Sequence, residues 1–380
     1  MAGIYFHVPF CKQACHYCDF HFSTSTNHRD EMVDALCREV ALQADYLARQ
    51  DAAIETIYFG GGTPSLLSAA DVDRLVGAVA SHFTIDRDAE ITIEANPDDI
   101  NDGYLKSLHA TPINRFSIGI QSFFEEDLRW MNRAHNAVEA QDAIKRVQHA
   151  GYANITADLI YGYPLLTDAK WESNIGRLVD MEIPHISAYN MTVEPRTALA
   201  AFIRKGQQMP MDEAQGASQF NQLMDALAAA GFIHYEISNF AQPGNDARHN
   251  SNYWKGIPYI GLGPSAHSFD GGTRQWNVRN NIQYIRSIQA GRVPCEQEVL
   301  TMADKLNEYI MTSLRTIWGL DLERVETRFG ARRRQALDRA MAPFVASGDI
   351  TLEGAVAALT RKGKLFADHI AAELFVDDEA

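Results

Sequence analysis

Short runs rich in Ile, Tyr, Phe and Val recur along the first half of the chain, at Ile4–Val8, Thr56–Phe59, Ile91–Glu94, Arg115–Ile120, Ile155–Ile160 and His185–Asn190. Composition and length predict strands, and the segments between them are long enough for helices. One helix is expected over 69–82, behind the N-cap Ser68 with Asp71 three residues on. Another is expected over 137–150, opened by Asn136 and stopped by Gly151. Six βα units in series predict an α/β fold with a parallel sheet and right-handed crossovers. The expected form is a partial (β/α)6 TIM-like barrel, with its chemistry at the C-terminal ends of the strands.

After Thr192 the rhythm breaks. Residues 195–212 read as a connecting loop, 213–230 as a helix ended by Gly231, and 242–278 as an aromatic- and glycine-rich region. From Met302 the pattern is helical again, closing with a helix over 331–346, a strand at Ala355–Leu359 and a helix at Arg361–Leu374. These shifts divide the chain into 1–194, 195–300 and 301–380, the last a small, mostly helical unit of winged-helix type. The Arg332–Arg334 run reads as a solvated face.

Composition narrows the function. A formal net charge of −15 over 380 residues disfavours nucleic acid as a partner. No apolar run reaches the ~18 residues of a membrane span, and no secretory signal opens the sequence. Five cysteines, three of them clustered, do not make a disulfide framework. A cytoplasmic, reducing location is expected.

The clustered thiols are Cys11, Cys15 and Cys18, with three and then two residues between them. Such a loop can give three thiolates to a [4Fe–4S] cluster and leave the fourth iron for a non-protein ligand. It can also form a zinc site with one of His7, His16 or His21. Cys37, in a segment that reads as helix, and Cys295 are too far away to complete either set. The loop follows the first strand, and polar or glycine-rich residues mark the same rim on the later ones: Gly60-Gly61-Gly62-Thr63-Pro64, Glu94-Ala95-Asn96-Pro97, Gln121-Ser122, Asp158 late in the fifth strand, and Asn190-Met191-Thr192. Glu94, Gln121, Arg133 and Asp158 offer carboxylates for ribose hydroxyls and a guanidinium for a carboxylate, which suits a zwitterionic nucleoside.

Cys11-x3-Cys15-x-Tyr17-Cys18-Asp19 with the downstream Gly-Gly-Gly-Thr-Pro resembles the radical S-adenosylmethionine (SAM) superfamily. Within it, Tyr5-Phe-His7-x-Pro9-Phe, Ile93-Glu94-Ala-Asn96-Pro97, Ser117-Ile-Gly119-x-Gln121-Ser122, Asp158-Leu-Ile-Tyr-Gly162-x-Pro164 and Leu359-Thr360-x-x-Gly363 resemble the branch of oxygen-independent coproporphyrinogen III oxidases and HemW-like haem chaperones. The resemblance implies a [4Fe–4S] cluster on Cys11, Cys15 and Cys18, with SAM chelating the open iron. It implies SAM contacts from Tyr5, Tyr17, Gly61, Gly62, Thr63, Glu94, Gln121, Arg133, Asp158 and Thr192. The oxidases end their cysteine motif in Cys-x-Cys and carry a longer N-terminus; here the position is Phe20, and ten residues precede Cys11. Arg248-His249-Asn250-x-x-Tyr253-Trp254 resembles the haem-linked His-Asn-x-x-Tyr-Trp signature of the chaperones, within 195–300. The expected function is therefore haem binding and transfer to recipient haem proteins, with His249 as iron ligand and His267 as second candidate. The alternative is oxidative decarboxylation of coproporphyrinogen III. A homodimer and peripheral contact with membrane-bound haem proteins are compatible with the same resemblance.

Overall fold

The computed structural model describes residues 1–50 and 53–377. Ala2–Val8 (β1), Ile54–Gly61 (β2), Ile85–Ala95 (β3), Arg115–Gln121 (β4), Ile155–Tyr161 (β5) and His185–Asn190 (β6) pair side by side in chain order, all parallel. Alternate residues of each strand face opposite ways. One set is apolar and packs against the surrounding helices; Phe6 and Phe59, for example, stack at 5.0 Å and are fully buried. The other set is largely polar and points into the barrel: Tyr5 and His7, Thr56 and Tyr58, Glu90 and Glu94, Arg115 and Ser117, Thr156 and Asp158, His185 and Ser187. Hydrogen bonds across strands join these inward residues, including Tyr58 to Glu94 at 2.7 Å, Ser117 to Asp158 at 3.3 Å and Thr156 to His185 at 3.1 Å.

Both expected capped helices form. Ser68 and Asp71 make a reciprocal capping box at the start of Ala69–Ala80, as Asn136 and Glu139 do for Ala137–His149. Cys37 lies in the helix Arg29–Leu42.

The stretch after β6 departs from expectation. Residues 195–212 contain the helix Ala198–Arg204, capped by Thr197, which is short enough to pass for loop. Ile233–Glu236 (β7) and Asn239–Ala241 (β8) extend the sheet beyond β6, while Tyr259–Leu262 (β9), His267–Phe269 (β10), Thr273–Asn277 (β11) and Cys295–Val299 (β12) extend it beyond β1. Among the described residues the sheet thus has twelve strands, and its ends, β12 and β7, are not joined. These added strands are three to five residues long, too short for a periodic signal.

The C-terminal unit has its own core, with Leu306, Ile310, Leu337 and Ile370 among its buried residues. Helices surround a three-stranded sheet of Leu320–Asp321 (β13), Ile350–Glu353 (β14) and Val356–Leu359 (β15). The last segment starts as a 3-10 turn, Gly363–Phe366, before the helix Ala367–Glu373, in place of one continuous helix. Arg334 pairs with Asp338 at 2.9 Å; of the Arg332–Arg334 run Arg332 is exposed, while Arg333 and Arg334 are half-buried. The unit is bolted to β7: Ile237 donates to the Arg315 carbonyl and Ile317 to that of Tyr235, each at 3.0 Å. Arg315 also bridges buried Glu236 at 3.0 Å and Asp368 at 2.6 Å.

Candidate functional site

The C-terminal ends of β1 to β6 surround a cavity of about 600 Å3. Cys11, Cys15, Tyr17, Cys18, Gly61, Gly62, Thr63, Glu94, Gln121, Arg133, Asp158 and Thr192 all line it. A shallower depression of about 660 Å3 lies at the other end, around Lys145, Tyr152 and Glu182, and holds none of the expected site residues.

The cysteine loop is held from several sides. Cys11 donates its amide to the Ser23 carbonyl at 3.0 Å, and His16 donates its amide to Met131 at 3.0 Å. The Asn132 amide donates to Ala14 at 2.7 Å, and Lys12 pairs with Asp98 at 2.8 Å. On the far limb, His7 Nε2 bonds the His21 carbonyl at 2.8 Å, His21 Nε2 bonds Asn281 Oδ1 at 2.7 Å, and Arg279 bonds the Asp19 carbonyl. Gly62 runs so close beneath the loop that a Cβ there would lie 2.6 Å from the Phe10 carbonyl oxygen.

Arg133 crosses the cavity wall. Nη2 donates to Asn96 Oδ1 at 2.8 Å and to the Gly119 carbonyl at 2.9 Å, while Nη1 approaches Cys15 Sγ and the Tyr17 hydroxyl, each at 3.4 Å. Its buried Nε has no hydrogen-bond partner among the described residues. Gln121 ends β4 at φ +63°, a left-handed conformation rare for a side chain of this size. Glu94 accepts from Tyr58 at 2.7 Å and from the Gly61 amide at 3.2 Å. Burial, reinforced by nearby Asp158, pushes the Glu94 carboxyl up to about 7. Burial likewise raises Asp158 to about 6, against the opposing effect of bonds from Ser187 and Ser117. Burial also pushes the Cys18 thiol up to about 11.

The comparisons with known proteins follow from this architecture. A model described as the Radical SAM superfamily matches residues 5–178, and one for the HemN C-terminal domain matches 300–366. The chain is 35% identical over 375 residues to the heme chaperone HemW of Mycobacterium tuberculosis, covering 97% of this chain and 93% of that one. The chain belongs to the HemW family of radical SAM proteins. To the HemW of Bacillus subtilis it is 31% identical over 373 residues, covering 97% and 98% of the two chains. In fold it is similar to the coproporphyrinogen III oxidase HemN of Escherichia coli, a radical SAM enzyme, with a TM-score of 0.84 over 99% of this chain and 90% of that one at 24% identity.

Membership of the superfamily implies a [4Fe–4S] cluster and SAM, and the residues present fit both. Three unpaired, half-buried thiols face one cavity. They do not converge as ligands of a single ion: among the described residues no three His, Cys, Asp or Glu side chains do. A cubane takes one thiolate at each of three corners and leaves its fourth iron open, which three cysteines facing one cavity can provide. Of the candidate zinc histidines, His7 has both ring nitrogens bonded, to Tyr5 and the His21 carbonyl, while His16 bonds the Trp130 carbonyl through Nδ1 at 2.9 Å.

Two expected residues lie elsewhere. Tyr5 is not in the cavity wall; it sits one layer down in the barrel, its hydroxyl 3.2 Å from His7 Nδ1 and its ring stacked on Tyr58 at 6.1 Å. His249 is at the opposite end of the barrel from the cysteines, 2% exposed, with Nδ1 on Thr56 Oγ1 at 2.8 Å and Nε2 on the Tyr253 hydroxyl at 2.9 Å. Both ring nitrogens of His249 are thus bonded within the protein, and the ring has no open face. His267 is exposed on β10 beside Trp276, ring centroids 6.1 Å apart. Sequence reasoning passed over Tyr58, which holds Glu94, and gave no role to Asn96, which holds Arg133. Their signal was the two-residue alternation that aims Thr56, Tyr58 and Gly60 inward together.

Proposed function

We propose that this protein binds haem and delivers it to haem proteins, with a [4Fe–4S] cluster and SAM regulating the transfer. The observation that carries the reading is end-to-end similarity to proteins named heme chaperone HemW. In this reading Cys11, Cys15 and Cys18 hold the cluster, and the loop clamps at His7, His16 and Asn132 fix their spacing. Arg133 supplies fixed positive charge beside Cys15. Glu94 and Asp158 accept hydroxyl or ammonium donors from SAM, Tyr58 orients Glu94, and Gly61 and Gly62 let the backbone approach. Tyr17, Thr63, Gln121 and Thr192 complete the wall. A [4Fe–4S] cluster held by these cysteines would supply the electron for reductive cleavage of SAM. Phe20, 71% exposed on the cavity rim, stands where the oxidases carry their extra cysteine and disfavours the decarboxylase reading. For the haem itself, His267 is the accessible imidazole of the two in the motif region.

The test is anaerobic. Cluster-reconstituted protein is incubated with SAM, reductant and coproporphyrinogen III, and haem is titrated into a parallel sample. Stoichiometric haem uptake with a Soret shift and no protoporphyrinogen is expected. Porphyrinogen turnover without haem uptake would make the protein an oxidase.

A further inference from the structure

The His-Asn-x-x-Tyr-Trp signature sits on the helix Arg248–Trp254, beneath the barrel floor. Two inward residues of β3 tie it to the cavity. Glu90 accepts the backbone N–H groups of Arg248 at 3.1 Å and His249 at 3.0 Å. Glu94, four residues further along the same strand and on the same face, reaches the cavity.

A second connection runs through rings. His249 stacks on Tyr58 with centroids 4.9 Å apart and planes 21° apart, and more distantly on Tyr5 at 6.5 Å. Tyr253 closes the stack edge-on at 4.8 Å. Tyr58 in turn donates its hydroxyl to Glu94 at 2.7 Å. Space is left for this column by two glycines. A Cβ on Gly3 would meet Thr56 Oγ1 at 2.9 Å and the His249 ring at 3.5 Å. One on Gly60 would meet Tyr5 and Tyr58 at 2.9 Å and Glu94 at 3.1 Å. The imidazole is a fixed, uncharged wedge between Thr56 and Tyr253.

We infer that His249 is a positioning residue for the SAM site: it seats Tyr58, and Tyr58 seats Glu94. The signature helix is then a mechanical part of the cofactor cavity and gives iron no ligand. The inference rests on reading the cavity as the SAM site. It also explains how a motif at the far end of the barrel can be bound up with function without touching the cargo. Any coupling between SAM and haem would pass through the position of this helix.

The experiment measures two bindings on cluster-reconstituted full-length protein: SAM, by equilibrium dialysis and by the SAM-induced change in the cluster's EPR signal, and haem, by Soret titration. Tyr58→Phe and His249→Ala are each expected to weaken SAM binding roughly tenfold, the size of one lost oriented hydrogen bond to a charged group. The double variant should be little weaker than either single one, because both act through Glu94. Haem titration should be unchanged throughout. A destabilised but otherwise unconnected core would give additive losses instead. Undiminished SAM binding in folded His249→Ala, with the Soret shift lost, would overturn the inference and return His249 to the iron. Should His249→Ala not fold, His249→Phe keeps a ring against Tyr58 and replaces it; SAM affinity close to that of the unsubstituted protein is then expected, and unchanged SAM affinity in Tyr58→Phe overturns the inference. Failure of the unsubstituted protein to bind SAM would instead refute the reading of the cavity.

Discussion

Burial raises the Glu94 carboxyl to about 7 and that of Asp158 to about 6. The sign follows from linkage. An acid raised on folding binds its proton more tightly in the folded chain, so its cost to stability is absent below the unfolded value of 4.5 and fully present above about 7. For Glu94 that cost is on the order of 3 kcal/mol. The ligand-free protein should therefore lose stability as pH rises from 4.5 to 7, and Glu94→Gln should flatten that slope in thermal melts at several pH values. SAM needs the ionised acceptors, so its affinity should climb across pH 6 to 7 and level off above, as dialysis across that range would show. Glu94 was legible because it sits at the end of its strand, and Asp158 because it is a carboxylate in an otherwise apolar run. Tyr58 and Asn96 were not, because each acts only through a neighbour that the chain brings from another strand or loop. His249 was legible as a motif, but its partners Thr56 and Tyr253 were not, since sequence carries no record of which ring nitrogens are bonded.

At the scale of elements, the cysteine loop depends on the turn beneath it. Gly62→Ala would drive a methyl group to 2.6 Å from the Phe10 carbonyl and 2.8 Å from that of Val8. Backbone on both sides leaves no cheap relief, so lower iron and sulfide content after reconstitution is expected, with the overall circular dichroism retained. Ser68→Ala makes a contrast: losing the capping box of a surface helix should cost about 1 kcal/mol and leave iron content untouched, as a denaturation curve and an iron assay would show. The six central strands announced themselves because the face packed on helices is apolar. The inward face is polar, unlike the branched apolar layers that fill many barrels, and the apolar runs concealed it. The flanking strands escaped for a different reason. At three to five residues they carry no period, and their place in the sheet is fixed by partners distant in the chain.

On the scale of the whole molecule, Arg315 is one of several links between the C-terminal unit and the rest of the chain, with Arg361 on Asp225 and Arg274 on Glu308 among the others. The Glu236 carboxylate is 1% exposed and its charge is met by Arg315. Arg315→Met would leave that charge unpaired in the interior, a loss on the order of 3 kcal/mol. Hydrogen exchange should then quicken first in β7 and in 315–317, ahead of the central strands. Faster exchange spread evenly over the chain would contradict a localised junction.

The clamps on the cysteine loop have a consequence for how the protein is made. Cys11, Cys15 and Cys18 are synthesised long before the residues that clamp their loop, since His21 is pinned by Asn281 and Asp19 by Arg279. β1, just before the loop, gains one of its two neighbours only when β9 has been synthesised. A nascent chain hundreds of residues long thus carries three exposed thiols with no finished seat for iron. Iron–sulfur insertion belongs after translation, and a ribosome stalled before residue 281 would present the thiols to oxidation first.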